Sequence, residues 1–164
     1  MRFTRIPPSV GPAESIGYNE SIMLPRFKNI LVPVDFTEKN VAALDIAFEL
    51  AVANRAHVTL LHVVEALDVE NDAEMEQFYD RLEKRADSEL ERMSQRFLDA
   101  GPASDRKVRF GKRLAEILQS CTDHKTDLLI MSSHKPDMQK PHQTWATLSY
   151  QVSVLCPCPV LLVK

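Results

Sequence analysis

Five short apolar runs alternate with longer amphipathic stretches between residues 27 and 164. The near-continuous apolar runs predict strands that are buried on both faces, as in a parallel sheet. The stretches between them repeat apolar residues every three or four positions, which predicts helices. The resulting βαβαβαβαβ order predicts a doubly wound α/β fold with a five-stranded parallel sheet and helices on both faces. The predicted strands are KNILVPVDF, HVTLLHVVE, KVRF, DLLIMS and PVLLVK.

The sequence also predicts where some of the helices begin and end and which of their residues face inward. Thr37 is predicted to cap the first helix, and Gly101 with Pro102 is predicted to stop the long second one. The fourth is predicted over TWATLSYQVSVLC. The residues predicted to face inward are Val41, Leu44, Phe48 and Ala51 in the first helix, Met75, Phe78, Leu82, Ala86, Leu90, Met93 and Phe97 in the second, Leu114, Ile117, Leu118 and Cys121 in the third, and Trp145, Leu148, Val152 and Leu155 in the fourth.

The first 26 residues differ from the rest of the chain. They hold four of the ten prolines and two of the four glycines, and they follow no helical or strand period. This composition predicts a flexible N-terminal arm over residues 1–26, followed by one α/β domain over residues 27–164.

Composition narrows the classes of partner. Hydrophobic residues make up 45% of the chain and charged residues 26%, with a net charge of −3, so no nucleic-acid partner is expected. No apolar run approaches the roughly 20 residues that span a membrane, and the N-terminus lacks the apolar core of a secretory signal. We therefore expect a cytoplasmic protein without a membrane partner. The three cysteines are expected to be small apolar residues rather than a disulfide or zinc framework.

Doubly wound sheets bind ligands beyond the carboxyl ends of their strands, so the candidate site lies where PVDF, HVVE and MSSHK end. Asp35 has two interpretations there: a ligand contact, or a turn aspartate that bonds to nearby backbone N–H groups. The segment after the fourth predicted strand, MSSHKPDMQKPHQTWATLSYQ, contains no glycine. Strand-to-helix segments that hold phosphate through backbone N–H groups usually contain glycine.

Five stretches in this order resemble the universal stress protein family: ILVPVDFTE, HVTLLHVVE, KVRFGKRLAEIL, TDLLIMSSHK and CPCPVLLVK. The resemblance covers residues 27–164. It implies the strand order 3-2-1-4-5 and a cytoplasmic homodimer, often paired through the last strand, here Val160, Leu161, Leu162 and Val163. Many members of the family bind ATP, and a second group does not.

The resemblance also implies a nucleotide site. The aspartate that ATP-binding members place after the first strand is matched by Asp35, flanked by Pro33 and Val34, and the valine that ends the second strand is matched by Val63. The family's phosphate element, Gly-x2-Gly-x9-Gly-(Ser/Thr), is matched only in part. Its positions fall on Ser132, Lys135, Ala146 and Thr147, with one extra residue before Ala146. The candidate binding residues are thus Pro33, Val34, Asp35, Val63, Ser132, Ser133, Lys135 and Thr147.

Loss of the three glycines weakens the prediction of ATP binding. A non-glycine residue in a left-handed conformation costs about 1–2 kcal/mol, and Pro136 removes one N–H donor. We therefore expect a dimeric stress-response interaction or regulatory protein without tight ATP binding and without a cofactor. The alternative is an ATP-binding or other nucleotide-binding switch in which His134, Lys135, Lys140 and His142 replace the lost glycines.

Catalysis and metal binding are the weaker interpretations. The chain has neither a P-loop nor a Gly-x-Ser-x-Gly elbow, and it shows no nucleophile–base pair, so we expect a protein that is not an enzyme. A weak ATP hydrolase or nucleotidyl-transfer enzyme is the remaining catalytic alternative. His134 and His142 lack the i, i+4 spacing of a helical zinc site, and no metal site is expected.

Overall fold

A computed structural model of the protein describes residues 26–66, 73–134 and 147–164. Apart from Arg26, the predicted N-terminal arm lies outside these ranges. So do Lys135, Pro136, Lys140, His142, Trp145 and Ala146, which include one candidate binding residue and most of the segment predicted to have lost its glycines.

The described strands form one five-stranded sheet in the order β3-β2-β1-β4-β5, and every neighbouring pair is parallel. The predicted fold class and strand order are therefore confirmed. Ile30 of β1 lies opposite both Val58 of β2 and Leu128 of β4, so β1 occupies the centre of the sheet. The strands are β1 (Asn29–Pro33), β2 (His57–Val64), β3 (Ser104–Phe110), β4 (Leu128–Ser132) and β5 (Val160–Val163).

Helices cover both faces of this sheet. Alternate β1 residues face opposite sides: Ile30 packs in one core cluster with Phe97, whereas Leu31 packs in the other with Ile117 and Val152. The doubly wound arrangement follows from this period of two in a strand that is buried on both sides. None of the described helices is both long and apolar enough to cross a membrane. The helices are α1 (Asn40–Asn54), α2 (Ala73–Ala100), α3 (Arg113–Asp123) and α4 (Leu148–Leu155).

Thr37 does not cap α1, contrary to the sequence prediction. The helix begins at Asn40, and its preceding residue makes no side-chain capping hydrogen bond. The Thr37 hydroxyl instead donates to Asp35 Oδ1 at 2.7 Å, while the Thr37 carbonyl accepts from Asn40 N at 3.0 Å. The turn before α1 is therefore two residues longer than the N-cap prediction allowed.

Three residues that were predicted to face inward are exposed: Val41, Phe78 and Leu155. Val41 is 54% exposed because the buried stripe of α1 follows Asn40, Leu44, Ala47 and Ala51. In α4, Ser149 and Val152 are the buried positions, and Leu155 is 57% exposed. The predicted inward positions Leu44, Ala51 and Val152 are buried. Val41 and Leu155 were predicted in error, because Asn40 and Ser149 take the buried positions near the starts of these helices.

The third strand is longer than the predicted KVRF. It begins at Ser104 because it pairs with β2 along almost the whole length of that strand, from Val58 opposite Ser104 to Val64 opposite Phe110. Polar residues dominate its first half, and backbone pairing holds them in the sheet.

Candidate functional site

A cleft of about 840 Å³ opens at the carboxyl edge of the sheet. The ends of β1, β2 and β4 form its floor, and the starts of α1, α3 and α4 contribute to its walls. The direction of strand order reverses at β1, between β2 and β4, and this is the position where doubly wound sheets bind ligands.

The structure brings seven of the eight candidate binding residues to this cleft, and the eighth, Lys135, lies outside the described residues. They come from the ends of β1, β2 and β4 and from the start of α4. The strand ends meet because parallel strands end at the same edge of the sheet. The seven are Pro33, Val34, Asp35, Val63, Ser132, Ser133 and Thr147.

The turn between β1 and α1 is shaped by hydrogen bonds to Asp35. Its Oδ1 accepts from Thr37 N at 3.1 Å and from the Thr37 hydroxyl. Phe36 between them has a φ of 63°, in the left-handed region. Asp35 thus has the turn role foreseen as one of its two interpretations. Both of these bonds use Oδ1.

The Asp35 carboxyl is held in its ionised form. Partial burial, the largest influence, opposes ionisation. The hydrogen bonds from the Thr37 side chain and backbone, from Asp35's own N–H and from the Asn40 side chain together outweigh it. The pKa of Asp35 is therefore below its ordinary value. At neutral pH the cleft presents an anionic acceptor suited to N–H or O–H donors, rather than to a phosphate group.

Asn40 joins this turn to β4 and was missed by the sequence interpretation. Its side chain is 1% exposed, accepts from Asp35 N at 2.9 Å and donates to the Ser132 hydroxyl at 3.0 Å. One amide thereby fixes the ends of β1 and β4 relative to each other. A polar residue at the first position of a helix carries no sequence signal for this bridge, since such residues are usually exposed there.

His62 lies on the cleft and not in the interior of the core. Its ring stacks on Phe36 with centroids 4.1 Å apart, and Nδ1 donates to the Val34 carbonyl at 2.9 Å. That bond assigns the proton to Nδ1, which leaves Nε2 as an acceptor. Burial, followed by the charge of Arg113, outweighs the opposing influences of Val34 and Asp35 and lowers the pKa of His62. The ring is therefore neutral at pH 7.

Three hydroxyl groups meet where β4 ends and α4 begins. The Ser149 hydroxyl lies 3.0 Å from that of Ser133 and 3.3 Å from that of Thr147. Thr147 also caps α4 by accepting from Tyr150 N at 3.4 Å. Ser149 was not predicted from the sequence, although it lies only two residues after Thr147. The group offers hydroxyl donors beside a helix N-terminus, where the helix dipole favours anions.

Charges of both signs surround the cleft. Lys39, Arg85 and Arg113 contribute positive charge, whereas Glu65 and Glu89 contribute negative charge. Arg113 forms an ion pair with Glu65 at 3.0 Å. Because negative side chains accompany the positive ones, the cleft is less suited to a compact polyanion than a uniformly positive cleft would be.

Comparison with known proteins gives consistent results. A model of the universal stress protein family matches residues 26–164. The universal stress protein YxiE of Bacillus subtilis is 26% identical over 148 residues, which cover 84% of this chain and 99% of YxiE. Universal stress protein UspA from Lactobacillus plantarum superposes with a TM-score of 0.68 at 24% identity, covering 85% of this chain and 99% of that one. A universal stress protein in complex with cAMP has a TM-score of 0.69 at 16% identity, covering 85% and 98%.

Proposed function

The chain belongs to the universal stress protein family, and from that premise we propose that it is a regulatory member that binds an adenine nucleotide weakly. In this proposal the nucleoside occupies the cleft beside Asp35 and Val63, and the phosphate tail adds little affinity. The protein then acts through its surfaces, as a homodimer, and not as an enzyme.

The observation that carries this proposal is a difference between the two halves of the site. One half is the cleft at the ends of β1 and β2, and the other is the segment after β4 that would hold phosphate. The cleft at the ends of β1 and β2 is open and lined by Asp35 and Val63, and a fold neighbour is known in complex with cAMP. The segment that would hold a triphosphate contains no glycine between residues 131 and 151. Without glycine, backbone N–H groups approach phosphate oxygens poorly.

A non-enzymatic role is supported by the partners of the cleft hydroxyls. Ser132 accepts from Asn40, and Ser133 pairs with Ser149. The neutral amide and the serine hydroxyl are not general bases, so neither serine is activated as a nucleophile by these contacts.

Isothermal titration with Mg·ATP and with AMP tests the nucleotide part of the proposal. We expect ATP to bind with a Kd weaker than about 10 µM, or roughly −7 kcal/mol, and AMP to bind within about threefold of ATP. Asp35→Ala should weaken AMP binding about 10- to 100-fold, because a charge-assisted hydrogen bond contributes about 1.5–3 kcal/mol.

Glu38→Ala is the matched control, since it removes an exposed carboxylate from the same turn outside the cleft. It should leave both affinities unchanged. ATP binding tighter than about 10 µM, or more than tenfold tighter than AMP, would show that the phosphate tail is recognised and would overturn the proposal. If neither nucleotide binds, the nucleotide part of the proposal is wrong, and only the role through protein surfaces remains.

The homodimer is proposed through β5, at one edge of the sheet. Its sequence VLLV carries no charge, whereas β3 at the other edge reads SDRKVRF. Charged side chains protect an edge strand from pairing, and an apolar edge strand is prone to it. The carbonyls of Pro159 and Val163 accept from Leu129 of β4 and from Ser133, which follows β4. By strand alternation the N–H groups of Val160 and Leu162 therefore face the open edge.

Leu162→Pro is expected to convert a dimer into a monomer in sedimentation velocity at micromolar concentration. Proline removes the outward N–H of residue 162 without removing a bond to β4. Leu162→Ala is the control, since it shortens the side chain but keeps the N–H, and it should remain dimeric. A monomeric wild-type protein, or a dimeric Leu162→Pro protein, would contradict pairing through this edge.

A further inference from the structure

Three cysteines, one in α3 and two in the connection between α4 and β5, meet on the side of the molecule away from the cleft. Cys121 lies in α3, Cys156 follows the last residue of α4, and Cys158 lies just before β5. The sulfur of Cys156 is 3.6 Å from that of Cys121 and 3.5 Å from that of Cys158. All three sulfurs lie within 4.8 Å of one another. The chain contains no other cysteine, so all of its thiols converge here.

The backbone fixes this arrangement before any ligand arrives. Cys156 N donates to Val152 O at 2.9 Å, and Cys121 O accepts from Thr126 N at 2.9 Å. Pro157 restricts the residue before it to extended conformations, and Cys156 has the corresponding ψ of 134°. The two sulfurs of Cys156-Pro157-Cys158 are thereby presented together to Cys121, and little conformational entropy remains to be lost on binding.

From this geometry we propose that Cys121, Cys156 and Cys158 form a three-sulfur binding site for a soft monovalent cation, Cu(I). Three sulfurs around one ion with bonds of about 2.3 Å lie about 4.0 Å apart in a planar triangle. The observed separations of 3.5 and 3.6 Å require shifts of only about 0.5 Å to reach that geometry.

The donor set favours Cu(I) over zinc. Soft thiolate ligands select Cu(I), zinc and iron–sulfur clusters, and structural zinc sites have four protein ligands. In residues 26–66, 73–134 and 147–164, no histidine or carboxylate joins the three sulfurs. A trigonal ion such as Cu(I) is fully coordinated by the three sulfurs, whereas a tetrahedral ion such as zinc lacks a fourth protein ligand.

The three cysteines are shielded from solvent on one side and accessible to an ion on the other. Cys121 is 2% exposed, and the cluster around it contains Ile117 and Val152. Cys156 and Cys158 are half-buried, which gives the ion a side from which to enter.

The thiols are protonated before they bind an ion. Burial, followed by the influence of Cys156, raises the pKa of both Cys121 and Cys158, and it raises that of Cys158 to about 12. Each thiol that becomes a ligand releases its proton to solvent, where it is taken up by buffer.

Anaerobic titration of the reduced, full-length protein with Cu(I) against the chromophoric chelator bicinchoninate tests this site. We expect one tightly held Cu(I) per chain and a sulfur-only first shell in X-ray absorption. Cys158→Ala and Cys156→Ala should each weaken binding at least about 100-fold, more than the 10–100-fold typical of losing a residue behind the ligands. Cys121→Ala should have the same effect, although its burial makes it the variant most prone to misfolding.

Ser153→Ala is the matched control, because this α4 hydroxyl donates to the Tyr150 carbonyl of its own helix and is not one of the three clustered thiols. It should bind Cu(I) within about twofold of wild type. Circular dichroism of each variant confirms that the fold is retained. Absence of Cu(I) binding, binding that survives Cys158→Ala, or zinc binding in preference to Cu(I) would each overturn the proposal. The proposal would also be overturned if peroxide converts the reduced protein to a Cys121–Cys156 disulfide but the reduced protein binds no Cu(I).

Discussion

Phe97→Ala is expected to lower the free energy of unfolding by about 3–5 kcal/mol. Phe97 is fully buried, and its ring packs edge-on against that of Phe48, with centroids 5.7 Å apart. It joins α2 to α1 and to β1 within one core cluster. The substitution removes the aromatic contact and leaves a cavity that rigid neighbours fill only in part. Since whole domains are stable by about 5–15 kcal/mol, urea denaturation should show a large fall in the midpoint.

Phe78→Ala is the matched control on the same helix. Phe78 is 44% exposed, and its ring contacts that of its neighbour Tyr79 at 5.8 Å. We expect a loss of no more than about 1 kcal/mol, since little apolar area leaves water at this position. Equal losses from the two variants would mean that the N-terminal half of α2 is as firmly packed as its C-terminal half, contrary to the structure.

The contrast between these two phenylalanines marks a limit of the sequence prediction. Both were placed on one inward stripe of α2 because they share the helical period. Periodicity gives the direction in which a side chain points, but not how far the sheet extends beneath the helix. Near Phe97 the helix lies over the core, whereas near Phe78 the apolar stripe is partly exposed to solvent.

The positions of the strands were predicted more accurately from the sequence than the buried faces of the helices. Strands buried on both faces require continuous apolar runs, and ILV and LLIM fulfil that requirement within a few residues. The strand order came from the resemblance to a family and not from these runs. In α1, alanines at positions 43, 47 and 51 form much of the buried stripe. Small residues give a weak apolar signal, and the larger Val41 was predicted to face inward in error.

The candidate site was predictable in its residues but not in its connections. Strand ends and the family motif indicated Asp35, Val63, Ser132 and Thr147, all of which line the cleft. Asn40 lacks any such signal, because its bridge depends on a residue 92 positions away in the chain. Whether the lining residues bind a nucleotide stays a prediction, to be decided by titration.

Asn40→Ala is expected to destabilise the protein by about 2–4 kcal/mol and to loosen the turn that carries Asp35. The substitution leaves Asp35 N and the Ser132 hydroxyl without this partner in a half-buried site. Each buried polar group that loses its hydrogen bond costs about 1–3 kcal/mol. Faster hydrogen exchange at the Asp35 amide should accompany the loss of stability in urea denaturation, because local opening no longer breaks this bond.

Asn54→Ala separates this bridge from the general cost of removing an asparagine from α1. Asn54 lies at the other end of the helix, accepts from Arg26 N and Phe27 N, and is more exposed than Asn40. We expect it to cost about 1 kcal/mol and to leave exchange at Asp35 unchanged. A double-mutant cycle of Asn40→Ala with Ser132→Ala should give a coupling energy of about 1 kcal/mol. Strict additivity of those two substitutions would mean that the β1 and β4 ends are fixed by strand pairing alone, without the amide between them.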